Sequence, residues 1–168
     1  MIRDATEADL PAILDIYNDV LATSTAIFSD TPTTLEDRLA WFRGRRELGY
    51  PVLAASDEAG VLGFASFADF RSWPGYRYTV EHSVHVRVDA RGRGIGPALM
   101  RVLLDRAAAL GKHMMVAGVD AENLASLRLH ERLGFQQAGT LHQVGCKFGR
   151  WLDLTFLERR LDDRVSPG

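Results

Sequence analysis

The sequence predicts a mixed α/β fold in which about six or seven strands form one sheet. Short apolar or alternating runs typical of strands recur along the chain, and segments with helical spacing of apolar residues stand between some of them at irregular intervals. The length of 168 residues suits one folding unit, and no internal repeat or linker divides the chain. We therefore expect a single domain over residues 1–168.

Turn signals and apolar spacing assign the elements in order. The first part of the chain is predicted to contain a strand at 2–3, a helix that starts near residue 6, a loop at 22–34, a helix at 35–48, and paired strands at 51–55 and 61–67. The second part is predicted to contain a central strand at 79–88, a helix at 97–110, a strand at 113–119, a helix at 123–133, and closing strands at 135–144 and 150–159.

Charge and hydropathy exclude several classes of partner. The formal net charge of -2 gives no attraction toward nucleic acid, and no basic block interleaved with aromatic residues occurs. The amino terminus lacks a signal-peptide pattern, and no run approaches the roughly 18 apolar residues of a membrane span. His82 and His85 are three apart on one strand and face opposite sides, which argues against a metal site. We expect a cytoplasmic protein that binds no metal, nucleic acid or membrane.

The strongest functional signal is a glycine-rich loop between the central strand and the next helix. It consists of Arg91, Gly92, Arg93, Gly94, Ile95, Gly96 and Pro97. Small residues let backbone N–H groups approach a pyrophosphate, and the helix presents its positive amino-terminal end to the same anion. Because residue 97 is Pro and no Gly-Lys-Ser/Thr follows, the Rossmann and nucleoside-triphosphate loops are excluded. The alternative is a turn that serves packing only.

A second polar feature lies about 30 residues further on. Asn123, Ser126 and His130 are spaced so that they share one face of the predicted helix. This stripe is predicted to face a ligand, the alternative being a solvated helix face.

Together, the RGRGIGP loop and the segment NLASLRLHERLGF at 123–135 resemble the GNAT superfamily of acetyltransferases. The resemblance implies a mostly antiparallel sheet of six to seven strands flanked by about four helices, with acetyl-CoA as co-substrate. It also implies that Val84, His85 and Val86 line the cofactor, with main-chain hydrogen bonds from Val84 and Val86 to the pantetheine arm. Residues 92–97 would hold the pyrophosphate, while Asn123 and Ser126 would meet coenzyme A.

A closer resemblance, to the phosphinothricin and methionine sulfoximine acetyltransferase branch, covers nearly the whole chain. It rests on residues 25–28 (TAIF), 70–83 (FRSWPGYRYTVEHS), 129–131 (LHE) and 147–153 (KFGRWLD). The branch has His at position 130, where many GNAT members have Tyr. This resemblance implies a small amino-acid-like amine as substrate and a homodimer.

The chemistry of amine acetylation requires a base, because an α-amine is largely protonated at neutral pH. Glu81 is the predicted general base, and it would reach the amine through water because its parity on the strand is opposite to that of Val84 and Val86. The alternative is an acid paired with a nearby arginine. His130 is the second catalytic candidate, able to protonate the departing thiolate or to help remove the amine proton, and the alternative is a structural histidine.

An aromatic and basic stretch just before Glu81 is predicted to bind the substrate, because guanidinium groups bind carboxylates or phosphinates bidentately. The predicted substrate-binding residues are Phe28, Arg71, Trp73, Tyr76, Arg77 and Lys147. The alternative for the aromatic and basic stretch is a rim loop or a subunit contact.

The sequence thus predicts an acetyl-CoA-dependent N-acetyltransferase that acts on the α-amine of a small amino-acid analogue, by direct transfer in a ternary complex. The alternatives are an acetyltransferase for a peptide N-terminus or another amine, and a regulatory module that binds acetyl-CoA without catalysis. The presence of both Glu81 and His130 argues against the regulatory module.

Overall fold

A computed structural model of all 168 residues shows a seven-stranded sheet with helices on both of its faces. The strands are β1 (Ile2–Asp4), β2 (Val52–Asp57), β3 (Gly60–Asp69), β4 (Thr79–Val86), β5 (Met114–Asp120), β6 (Gln136–Lys147) and β7 (Arg150–Arg160). The helices are α1 (Leu10–Thr23), α2 (Leu35–Glu47), α3 (Ile95–Ala109) and α4 (Leu124–Arg132). None of these helices is long and apolar enough to cross a membrane. The predicted fold class, strand number and helix number are confirmed.

The strand order is β1-β2-β3-β4-β5-β7-β6, and β4–β5 is the one parallel pair. This parallel ladder is short, since it pairs only Thr79, Val80 and Glu81 with β5, whereas β4 stays paired with β3 as far as Val86. The two central strands therefore separate beyond Glu81 and leave one side of β4 without a neighbour.

The direction of the free peptide groups follows from the ladder between β3 and β4. The N–H of Arg87 donates to the carbonyl of Leu62, so the peptide groups of odd-numbered residues point toward β3. The groups of Val84 and Val86 alternate with these and point into the gap beside β5. The gap thus exposes main-chain hydrogen-bonding groups at the centre of the molecule.

Two hydrophobic clusters hold the helices to the sheet. Leu10 and Ile13 of α1 and Phe42 of α2 pack with Phe64 on one face. Leu99 and the neighbouring apolar residues of α3 pack on the other face, in a larger cluster that includes Leu127 of α4. The gap between β4 and β5 consequently connects a face covered by α1 and α2 with a face covered by α3 and α4.

Several predicted boundaries differ from the structure by a few residues, and three of them have a clear backbone explanation. The central strand ends at Val86 rather than at residue 88, because Val88–Ala90 forms a 3-10 turn. Helix α3 begins at Ile95 rather than at residue 97; Pro97 is tolerated there because the first N–H groups of a helix have no internal partner. Strand β6 continues to Lys147 rather than 144, since Phe148 and Gly149 both have positive φ and form a two-residue hairpin turn.

Candidate active site

A cavity of about 420 Å³ lies where β4 and β5 separate. Helices α1, α2 and α4, the loop after α1, and strands β3, β4 and β5 contribute to its wall. Six predicted site residues line it: Glu81, Val84, His85, Asn123, Ser126 and His130. The structure therefore brings the two catalytic candidates and four cofactor candidates together around one space.

The glycine-rich loop forms an open anion cradle next to this cavity. Gly92 and Gly94 have φ of +74° and +76°, and a Cβ added to either would meet no atom within 4 Å. The N–H groups of residues 92–94 donate to no backbone carbonyl, and Gly94 is the N-cap of α3. Free N–H groups beside a helix amino terminus fit a pyrophosphate.

Two arginines place positive charge around the cradle. Arg91 is exposed and its Nε lies 3.4 Å from the carbonyl oxygen of Val86. Arg93 forms an exposed ion pair with Asp57, at 3.3 Å. Neither side chain is buried, so both remain free to turn toward an anion.

The polar stripe of α4 begins at the amino-terminal end of this helix. The Asn123 side chain caps α4 by accepting from the N–H of Ser126, at 3.1 Å. Ser126 Oγ lies 3.4 Å from His130 Nδ1, so the three residues share one face, as their spacing predicts. That face lines the cavity rather than facing water only.

His130 is buried and forms a pair with His82 of β4. Its Nδ1 lies 2.7 Å from the carbonyl of Ser126, so this nitrogen carries the proton and donates. Its Nε2 lies 3.0 Å from Nε2 of His82, and His82 must therefore donate there. The remaining nitrogen of His82, Nδ1, is buried without a partner.

Burial disfavours the charged form of the three cavity histidines. Burial lowers the pKa of His82 to about 3, helped by His130 and His85, and lowers that of His85 to about 4. The pKa of His130 is also lowered by burial, which its hydrogen bond to Ser126 opposes. His82 and His85 face opposite sides of β4, as predicted, and no cluster of three or more metal-ligating side chains is present.

Glu81 lies on the side of the sheet covered by α1 and α2. It is half-buried, and burial raises the pKa of its carboxyl above the ordinary value while Arg71 acts in the opposite direction. A Cβ on Gly118 of β5 would come within 3.4 Å of Glu81 Oε1, so this glycine leaves room for the carboxylate. A half-buried carboxylate with a raised pKa has the properties of a general base.

The predicted aromatic and basic substrate residues lie outside the cavity wall. Trp73 and Tyr76 are 74% and 43% exposed. Arg77 donates to the carbonyl of Pro74 and stacks on the Tyr78 ring, while Arg71 is exposed beside Phe70. Their exposure agrees with the alternative reading of this stretch as a rim.

Phe28 and Lys147 hold the loop after α1 rather than line the cavity. The ammonium of Lys147 is buried and donates to the carbonyls of Leu21, Ser24 and Ile27, over 2.5–2.9 Å. Phe28 packs on Gly145, where an added Cβ would lie 2.7 Å from its Cε2. We correct the predicted role of Lys147 accordingly, since all three of its protons already have acceptors.

Several cavity residues were not predicted from the sequence. They include Tyr17, Arg38, Trp41, Phe64 and Asp120, together with residues of the loop after α1. The spacing of residues along α2 could have identified Arg38 and Trp41. Together with Arg45, they are spaced to share one face of this helix, as the polar residues of α4 are. Asp120 accepts from the Thr25 hydroxyl and from the N–H of Glu122, so it anchors the loop.

Comparison with known proteins agrees with this geometry. The model of the acetyltransferase (GNAT) family matches residues 13–135. The chain belongs to this family and is an acetyltransferase. A solved putative acetyltransferase from Salmonella typhimurium, determined with its cofactor acetyl-CoA, superposes with a TM-score of 0.97 and 48% identity; the alignment covers 100% of this chain and 97% of that one.

Individual relatives indicate which branch of the family the chain resembles. The L-methionine sulfoximine/L-methionine sulfone acetyltransferase of Pseudomonas paraeruginosa is 56% identical over 166 residues, which cover 98% of this chain and 96% of that protein. The phosphinothricin N-acetyltransferase of Streptomyces coelicolor is 39% identical over 163 residues, 95% of each chain. The predicted resemblance to this branch of the family is confirmed.

Proposed function

We propose that the protein transfers the acetyl group of acetyl-CoA to the α-amine of a small amino-acid analogue such as methionine sulfoximine, methionine sulfone or phosphinothricin. The observation that carries the proposal is the cavity at the β4–β5 gap, which joins the α4 stripe on one face of the sheet to Glu81 on the other. The names of the relatives support the substrate class.

The residues present fit the cofactor. The N–H groups of the cradle would hold the pyrophosphate, with Arg91 and Arg93 beside it. The peptide groups of Val84 and the carbonyl of Val86, which pair with no neighbouring strand, would pair with the pantetheine arm and leave the Val86 N–H for the acyl oxygen. When bound, acetyl-CoA supplies a thioester whose acyl carbon accepts the amine.

The chain contributes a base and a hydrogen-bond donor to direct transfer in a ternary complex. Glu81 takes a proton from the substrate ammonium, through water, so that the neutral amine attacks. The N–H of Val86 donates to the acyl oxygen, where negative charge develops. The carbon–sulfur bond then breaks, and the thiolate leaves as a thiol after protonation.

His130 has a positioning role in this scheme. Its two ring nitrogens already have partners, Ser126 and His82, in the structure. It therefore fixes the wall of the cavity on the cofactor side, and the proton for the thiolate comes from the amine through Glu81 and solvent.

A thiol-release screen tests the proposal. Acetyl-CoA is offered with methionine sulfoximine, methionine sulfone, phosphinothricin, unmodified amino acids and a dipeptide, and products are identified by mass spectrometry. We expect N-acetylated methionine analogues or phosphinothricin as the favoured products. Turnover of the dipeptide alone, or of none of these compounds, contradicts the proposal.

We also propose a cytoplasmic homodimer. The edge strand β6 and its hairpin with β7 expose large apolar side chains, namely Leu141, Val144, Phe148 and Trp151. Exposed apolar surface of this kind is typical of an interface. Sedimentation equilibrium should give twice the chain mass, and Trp151→Asp should return the monomer mass; a monomeric parent protein contradicts this part.

A further inference from the structure

Arg38 is a cation without an anionic partner in the wall of the cavity. It lies on α2, and its guanidinium forms neither an ion pair nor a hydrogen bond with the rest of the chain. Its Nε is buried and has no partner. The neighbouring acid, Asp37, is already engaged by Thr33 and Thr34 at the start of α2.

Two aromatic rings hold this guanidinium in place. The Cζ of Arg38 lies 4.2 Å from the centre of the Tyr17 ring and 4.7 Å from that of Trp41. Stacking of this kind fixes the plane of the group and leaves N–H donors at its edge. The side chain is therefore preorganised although it binds nothing in the chain.

Such an arrangement is costly without a ligand. Burial lowers the pKa of Arg38 below its ordinary value, which means that its charge is poorly solvated. A poorly solvated charge is stabilised when an anion enters and pairs with it. The planar donor edge of a guanidinium matches a carboxylate, which it binds through two parallel hydrogen bonds.

We propose that Arg38 binds the α-carboxylate of the acceptor amino acid, while Glu81 serves its amine. This inference rests on the proposed function and names the residue that selects α-amino acids over simple amines. The two groups line one cavity, on the side of the sheet covered by α1 and α2. The arginines predicted from the sequence are less suitable, because Arg77 is already engaged and Arg71 is exposed.

The chain offers a matched control in Arg45. It lies on the same face of α2 two turns later, its Nε is also buried without a partner, and its Cζ is 5.8 Å from the Trp41 ring. Unlike Arg38, Arg45 does not line the cavity. The carboxylate of Asp69 also attracts its positive charge. A general effect of losing a half-buried arginine should appear in both variants.

The test compares methionine sulfone with the amine that lacks its carboxylate, in the parent and in Arg38→Ala, Arg38→Gln and Arg45→Ala. Methionine sulfone has one anionic group, so a phosphinate cannot substitute for the carboxylate in this assay. Losing the charge-assisted pair should raise KM for methionine sulfone about 10- to 100-fold in both Arg38 variants. The kcat/KM for the decarboxylated amine should change by less than about threefold.

The controls separate the possible failures. Arg45→Ala should leave the ratio of the two substrates unchanged, and all variants should keep the parent KM for acetyl-CoA. Equal losses on both substrates, or the same loss of ratio in Arg45→Ala, overturn the role of Arg38 while the proposed function stands. Arg38→Gln keeps a planar side chain and serves if the alanine variant does not fold. A parent enzyme that fails to acetylate methionine sulfone overturns the proposed function itself.

Discussion

Replacing Lys147 by Met should destabilise the protein and weaken acceptor binding together. The ammonium joins β6 to the carbonyls of Leu21, Ser24 and Ile27. The loop that it holds contributes Ala26 and Ile27 to the cavity wall. Loss of the ammonium therefore frees a segment that shapes the acceptor site.

The magnitude follows from the burial of the three acceptors. Leu21 is buried, so its carbonyl would lose a partner that water cannot replace, at a cost of about 1–3 kcal/mol. Ser24 and Ile27 are partly exposed, and water can replace the ammonium there. Met also avoids the desolvation of the ammonium, so we expect a net loss of about 1–3 kcal/mol and a fall in Tm of about 3–10 °C.

Thermal melts measure the loss of stability, hydrogen exchange over residues 24–28 measures the freeing of the loop, and the KM for the acceptor amino acid measures the weaker binding. Lys112→Met is the matched control, because its ammonium bonds Tyr50 and the carbonyl of Arg77 outside the cavity. It should lower Tm without raising KM, whereas Lys147→Met should do both. If Lys147→Met raises KM at an unchanged Tm, the lysine contacts substrate directly and our assignment of its role is refuted.

Three further predictions concern the cavity and the cradle. Arg71 lowers the pKa of Glu81, so Arg71→Ala should move the rising limb of the kcat/KM pH profile to higher pH; a limb that stays in place contradicts the coupling. Gly94→Val forces a branched side chain into a φ of +76° and should raise the calorimetric Kd for acetyl-CoA at least about tenfold, and an unchanged Kd removes the cradle from cofactor binding. Burial lowers the pKa of His85 from 6.5 to about 4, so the unfolded chain binds a proton that the folded chain does not, and stability falls as pH drops through that window. His85→Phe should make the fall in Tm over that range smaller, and an equal fall would refute it.

Local patterns were sufficient to predict the mixed α/β class and the number of strands, and the family resemblance implied the mostly antiparallel sheet. Alternating and apolar runs indicated the strands, and the loop at 91–97 was placed correctly between a strand and a helix. The element boundaries that were predicted wrongly depend on backbone conformation, such as the positive φ of Phe148 and Gly149. A bulky residue such as Phe gives no sequence signal that its φ is positive. Periodicity also placed Asn123, Ser126 and His130 on one helix face that lines the cavity.

The substrate side was harder to predict because it is assembled from distant segments. Arg38 and Trp41 reach the cavity only because α1 and α2 cover the face of the sheet that carries Glu81, and no local pattern gives that packing. Lys147 was predicted to bind the substrate, yet its ammonium donates to three carbonyls more than a hundred positions away. The pairing of His82 with His130 likewise depends on the meeting of β4 and α4.

The measurement that tests the account most directly is kcat of Glu81→Gln with methionine sulfone and acetyl-CoA both saturating. The amide keeps the shape of the side chain but cannot take the amine proton. We expect kcat to fall about 10²- to 10⁴-fold, with the rising limb of the pH profile lost and the Kd for acetyl-CoA unchanged. A kcat equal to that of the parent would remove Glu81, and with it the proposed cavity chemistry, from the reaction.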